Sequence, residues 1–127
     1  MIYILDTHVL IWYFIGSKRL KRKLREKIEE VRNIGGRLLV PTIVLVEALA
    51  VAEKGKVEFN FHDMYQLIKT ESEFEIISFT PEILVEVMRT KIPEIHDRII
   101  VATAKFYRAG ILTKDKIILE SGEVEKL

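Results

Sequence analysis

Three of the four aspartates in this chain stand at the end of a predicted strand or at the start of a predicted helix. Asp6 follows the apolar run "MIYIL", Asp97 opens a helix, and Asp115 follows "ILTK". Functional groups of a parallel α/β sheet gather beyond the carboxyl ends of its strands, so these positions favour a shared site. A purely structural role stays open for each, as an N-cap, a first-turn acid and a turn residue respectively.

A further acid, Glu47, lies within the apolar stretch "TIVLVEALAVA". On a helix, its neighbours at three and four residues are all apolar, namely Ile43, Val44, Ala50 and Val51. Burying a carboxylate without a partner is costly in free energy. Glu47 therefore reaches solvent at the edge of its helix, pairs with a cation such as Lys54, or shares a divalent metal with the aspartates.

Taken together, Asp6, Glu47, Asp97 and Asp115 form a set of hard oxygen ligands. Such a set suits Mg²⁺ or Mn²⁺ rather than zinc, which prefers nitrogen and sulfur. Without a cation the carboxylates would repel one another and raise one another's pKa. The chemistry that this cluster favours is metal-assisted hydrolysis of a phosphodiester bond.

The elements that must position these acids alternate between strands and helices. Short apolar runs predict strands over residues 1–6, 37–41, 74–79 and 111–113, with a possible fifth at 117–119. Helical periodicity predicts helices over 7–15, from Ser17 as N-cap to Gly35, over 43–54 with Thr42 as N-cap, and over 61–71, 81–91 and about 96–108. This alternation predicts a single domain over residues 1–127, a three-layer α/β/α sandwich with a mainly parallel central sheet.

Composition excludes several classes of protein. The chain has no cysteine, which excludes disulfides and cysteine-ligated metals, and no apolar run near the ~20 residues of a membrane span. No signal peptide is visible, and a cytoplasmic location is expected. The net charge is only +1, but the cations are concentrated between Lys18 and Lys27, where Glu26 is the single acid.

Four segments resemble the acidic motifs of PIN-domain nucleases in order and approximate spacing: "LDTHVLIW", "VLVEAL", "HDRIIVATA" and "LTKDK". The opening and the length look most like the VapC-like toxins of type II toxin–antitoxin modules. This resemblance implies a Mg²⁺- or Mn²⁺-dependent endoribonuclease that cuts tRNA or another structured RNA, forms a homodimer and is silenced by a cognate antitoxin. It also implies that Asp6, Glu47 and Asp97 coordinate the metal, that Asp115 completes the site, and that Thr7 and Thr113 support it.

Two histidines and several cations complete the candidate site. His8 stands where many members of the family carry Asn, and both His8 and His96 are also explained as ordinary first-turn residues of their helices. The cations that we expect to meet RNA phosphates are Lys114, Lys116, Arg98, Lys18, Arg19 and Arg22. For the basic run, a solvated helix face is an equally good interpretation.

Two other functions fit the same residues. A housekeeping RNA-processing nuclease would carry the same acids without an antitoxin partner. A metal-free RNA- or protein-binding module of the same fold would bind no divalent ion, and its RNA affinity would not change in Asp6→Asn.

Overall fold

The computed structural model describes residues 1–123, which form one sheet flanked by seven helices. The strands are β1 (Ile2–Leu5), β2 (Arg37–Pro41), β3 (Phe74–Ile77) and β4 (Gly110–Leu112). The helices are α1 (Thr7–Ile15), α2 (Arg22–Asn33), α3 (Thr42–Lys54), α4 (Phe61–Thr70), α5 (Pro81–Arg89), α6 (Ile95–Tyr107) and α7 (Lys116–Glu120). All strand pairs are parallel, in the order β3-β2-β1-β4.

Both faces of the sheet are buried. Successive side chains of a strand point to opposite faces, and the consecutive residues Ile4 and Leu5 of β1 are both fully inaccessible to solvent. The same holds for Leu38, Leu39 and Val40 of β2. Helices therefore cover the sheet on both sides, and the predicted three-layer α/β/α fold is confirmed.

The pairing of β1 with β4 brings two distant parts of the chain together. Leu5 lies opposite Leu112, so the residues that follow these strands, Asp6 and Thr113, leave the sheet side by side. The backbone N–H of Asp6 also donates to the carbonyl of Leu112 at 3.0 Å. The carboxyl end of the sheet is therefore where any shared site must form.

Three details of the predicted elements are wrong. Ser17 does not begin the second helix; its hydroxyl accepts from the Arg19 N–H at 3.1 Å in a separate turn, and α2 begins only after Lys21. Pro41, not Thr42, is the N-cap of α3. Residues 117–119 form no strand, because the Asp115 carboxylate accepts from the Ile117 N–H at 2.8 Å and starts α7 instead.

The prediction of one domain over residues 1–127 reaches beyond the described part of the chain, since residues 124–127 lie outside it. Within residues 1–123, no helix has the length and apolar character needed to cross a membrane.

Candidate active site

A cavity of about 590 Å³ opens at the carboxyl end of the sheet. Its polar lining consists of Asp6, Thr7, His8, Glu47, Lys54, Asp97, Lys114 and Asp115. We call this cavity the acid pocket. It collects all four acids singled out in the sequence, from the ends of β1 and β4 and from helices α3 and α6.

Asp6 has both carboxylate oxygens engaged. Its Oδ1 accepts from the backbone N–H of Thr7 at 2.7 Å, which makes Asp6 the N-cap of α1. Its Oδ2 accepts from the hydroxyl of Thr113 at 2.6 Å. Asp6 therefore caps a helix and lines the acid pocket at the same time, so the structural and functional interpretations of this residue are compatible.

Thr113 connects the two strand-end aspartates. Its side chain is only 3% exposed, and its hydroxyl donates to Asp6 while accepting from the backbone N–H of Asp115 at 2.9 Å. Asp115 in turn caps α7. One buried hydroxyl thus fixes the position of Asp6 relative to the start of the segment that carries Asp115.

Glu47 is half-buried on α3, and its Oε1 accepts from the hydroxyl of Thr7 at 2.8 Å. Thr7 is the first residue of α1 and is itself buried. The partner of this carboxylate is therefore a hydroxyl from the segment that follows β1. Glu47 is therefore bonded to the residue that directly follows Asp6 in the chain.

Asp97 lies in the first turn of α6 and lines the acid pocket. Burial raises its pKa to about 7, with further contributions from the negative charges of Asp115, Asp6 and Glu94. Glu94 is a nearby acid that the sequence did not single out; it caps α6 by accepting from the N–H groups of His96 and Asp97. Burial is therefore the main cause of the raised pKa of Asp97, and repulsion by the neighbouring carboxylates adds to it.

The donor set fits a hard divalent cation by its chemistry. Four carboxylates supply oxygen ligands and negative charge, and a cation among them would offset both the burial of the Asp97 carboxylate and its repulsion by the neighbouring acids, which together raise its pKa. Within residues 1–123, however, no three acid or histidine side chains are already arranged closely enough to hold a metal ion.

His8 lines the acid pocket, whereas His96 does not. Burial and the charge of Lys114 lower the pKa of His8 against the opposing effect of Asp6 and Glu47, so its imidazole is neutral at neutral pH. Its ring centroid lies 5.6 Å from that of Trp12. His96 is exposed, and its Nδ1 lies 2.9 Å from Oε2 of Glu94.

The cations named in the sequence are distributed unevenly. Lys114 lines the acid pocket, with Nζ 5.2 Å from the centroid of the Trp12 ring. Arg98 instead donates to the carbonyls of Ile92 at 2.6 Å and Pro93 at 3.4 Å, which ties it to the loop before α6. Four others lie outside the lining of the acid pocket: Lys18, Arg19, Arg22 and Lys116.

One cation of the pocket was not predicted as a site residue. Lys54 lies at the end of α3, seven residues after Glu47, and this spacing places both on one face of the helix. The heptad spacing was visible in the sequence, but it pointed only to an ion pair. The structure places both side chains on the lining of the acid pocket.

A parallel α/β/α domain with clustered acids at the carboxyl end of its sheet is suited to metal-assisted chemistry on phosphate esters. The PIN domain family matches residues 3–123. The chain therefore belongs to the PIN domain family, a family of nucleases, and the predicted resemblance at that level is confirmed. No curated protein matches the chain by sequence.

Several solved structures share this fold. The chain resembles VapBC2 from Rickettsia felis, bound to a DNA fragment from its promoter, with a TM-score of 0.76, 16% identity, and coverage of 100% of this chain and 98% of the other. It also resembles a toxin–antitoxin complex from Klebsiella pneumoniae, with a TM-score of 0.64, 21% identity, and coverage of 98% of this chain and 96% of the other. The likeness to FitAB bound to an IR36 DNA fragment has a TM-score of 0.71, 18% identity, and coverage of 100% of this chain and 94% of the other. At these identities the likeness establishes the fold.

Proposed function

We propose that this chain is a divalent-metal-dependent endoribonuclease and the toxin of a type II toxin–antitoxin module. The observation that carries the proposal is the convergence of four acids on one pocket in a chain of the PIN domain family. The proposed metal ligands are Asp6, Glu47, Asp97 and Asp115, with Mg²⁺ or Mn²⁺ as the cation. The proposed substrate is tRNA or another structured RNA in the cytoplasm.

The bound cation would lower the pKa of a water nucleophile and neutralise charge on the scissile phosphate. The chain's own residues set the geometry around it. Thr113 and the N–H of Thr7 orient the two oxygens of Asp6, and the Thr7 hydroxyl orients Glu47. In the metal-free protein the pKa of Asp97 is raised to about 7, so a bound cation would compete with a proton for this carboxylate.

Lys114 is the proposed first contact of the RNA phosphate. The acid pocket by itself repels a polyanion, so a cation on its lining is needed to bring phosphate near the acids. Lys114 belongs to this lining and lies beside Trp12, an almost buried aromatic residue. Lys54 lines the same pocket from α3.

The proposed protein partners are a cognate antitoxin and a second copy of the chain. The antitoxin is supported by the similar solved structure from Klebsiella pneumoniae, which is a toxin–antitoxin complex. The homodimer is supported by an apolar depression of about 190 Å³ lined by Ile43, Val46, Phe79 and Ile99, where Val46 is 61% exposed and Phe79 47%. Sedimentation of the purified chain tests the dimer: Val46→Lys should shift a dimer to monomer, and a monomeric wild type contradicts it.

The experiment that tests the nuclease is cleavage of a total tRNA pool with Mg²⁺, with Mn²⁺ and with EDTA. Asp97→Asn is the inactive variant, and Asp63→Asn is its matched control because Asp63 is also a first-turn acid, on α4. We expect metal-dependent cleavage by the wild type and by Asp63→Asn, and none by Asp97→Asn. Metal-independent cleavage, or full activity in Asp97→Asn, contradicts the proposal, and RNA binding without metal binding favours the binding module.

A further inference from the structure

A second cavity, of about 300 Å³, adjoins the acid pocket. Its lining comes from the start of α2 and from the segment that follows β4: Lys21, Lys23, Leu24, Thr113, Lys114, Lys116, Leu119 and Glu120. We call it the lysine cavity. Lys114 lines both cavities, so the two are neighbours that share this side chain.

The lysine cavity is strongly cationic. Four lysines and one acid, Glu120, contribute to its lining, beside the apolar side chains of Leu24 and Leu119. Lysines gathered around one cavity repel one another, and the attraction of an anion to each of them would offset this repulsion. Thr113, whose hydroxyl donates to Asp6 in the acid pocket, also lines the lysine cavity.

The start of α2 adds positive potential on the same side. The N-terminus of a helix carries a partial positive charge and normally attracts acidic side chains. In α2 the first turn holds no acid, and the N-cap residue, Lys21, makes no side-chain capping bond. Cations therefore stand where the helix itself favours anions, and this reinforces the charge of the lysine cavity.

We propose that the lysine cavity binds a backbone phosphate of the RNA strand, next to the phosphate that is cleaved in the acid pocket. This inference rests on the proposed nuclease function and extends it by assigning a second phosphate site, in which Lys21 joins Lys116, a residue that the sequence already suggested as an RNA contact. Lys114, between the two cavities, contacts the strand as it passes from one to the other. Lys18, Arg19 and Arg22 of the basic run lie outside both linings.

The test is binding of a fluorescent single-stranded RNA, followed by anisotropy in EDTA at several salt concentrations. The double variant Lys21→Gln/Lys116→Gln is compared with Lys69→Gln/Arg89→Gln, which removes the same charge from α4 and α5, outside both cavities. All four side chains are exposed, so we expect every variant to fold. If the double variant does not fold, the single variant Lys21→Gln is used in its place.

We expect the cavity variant to bind RNA roughly tenfold more weakly, since two exposed charge contacts are lost. The slope of log affinity against log salt should fall by about 0.7 for each phosphate contact removed. The control variant should match the wild type. Equal affinity and slope in the cavity variant, or no RNA binding by the wild type, overturns the proposal, as does tight competition by inorganic phosphate alone.

Failure of the nuclease is a separate result. If the wild type binds RNA through these lysines but never cleaves it, the lysine cavity stands and the nuclease proposal fails. If the wild type cleaves RNA and the lysine substitutions change neither affinity nor KM, the nuclease stands and the lysine cavity fails.

Discussion

The hydroxyl of Thr113 donates to Oδ2 of Asp6 at 2.6 Å, across 107 positions of the sequence. The bond exists because β1 and β4 are parallel neighbours in the sheet and end at the same level. The same hydroxyl accepts from the N–H of Asp115, so one buried side chain supports two of the four acids. Thr113 is therefore a positioning residue of the acid pocket.

Thr113→Val should weaken Mg²⁺ binding by roughly 10–100-fold, since residues that orient metal ligands typically have effects of this size. It should also destabilise the fold by about 1–3 kcal/mol, because the Asp115 N–H loses its acceptor. Metal titration and urea unfolding measure the two effects. Thr113→Ser keeps the hydroxyl and should retain Mg²⁺ affinity, whereas equal weakening in both variants would contradict the positioning role.

Asp97→Asn should stabilise the metal-free protein above neutral pH. The pKa of Asp97 is raised from 3.8 to about 7 in the folded state, so between these values the folded protein binds more protons than the unfolded chain. Stability contributed at Asp97 therefore falls as pH rises through this window. Because Asp97 is partly exposed, we expect a gain of about 1 kcal/mol at pH 8 and none near pH 4.

Urea unfolding at both pH values measures this difference. Asp63→Asn, which changes an acid of the same type with no partner in the acid pocket, should show no comparable gain. A loss of stability in Asp97→Asn at pH 8 would mean that burial and the neighbouring carboxylates do not disfavour the charged form of Asp97 in the folded protein.

Metal affinity should depend on pH because protons and cations compete for Asp97. Below about pH 7 this carboxyl is protonated in the metal-free protein, so apparent Mg²⁺ affinity should fall by up to roughly tenfold per pH unit. Above about pH 7 the affinity should level off. Calorimetric titrations across this range measure the profile, and an affinity that is flat down to about pH 5 would contradict it.

The gathering of the acids was predictable from the sequence because it follows from topology. Asp6 and Asp115 each follow a short apolar strand, and parallel strands end at the same edge of the sheet. Strand β2 was predicted with its exact bounds because Gly36 precedes it and Pro41 closes it. Each strand and the acid that follows it can be recognised from neighbouring residues, and the parallel sheet then places the acids at one edge.

The errors arose where local patterns were ambiguous. Three apolar residues at 117–119 are compatible with a strand or a helix, and the capping bond from Asp115 decides for the helix. Ser17 has the residue type of an N-cap but uses its hydroxyl in a turn. The lining roles of Lys54 and Lys21 depend on how helices pack around the pockets, which periodicity does not specify.

We expect Asp6, Glu47, Asp97 and Asp115 to form one divalent-cation site together. The most direct test is a Mn²⁺ titration of the metal-free protein, followed by the loss of the free-ion electron paramagnetic resonance signal. One site per chain is expected in the wild type and in the control Asp63→Asn, with strong weakening in Asp97→Asn and in Glu47→Gln. Saturable Mn²⁺ binding that is unchanged in both pocket variants, or no Mn²⁺ binding by the wild type, would contradict a cation site formed by these four acids.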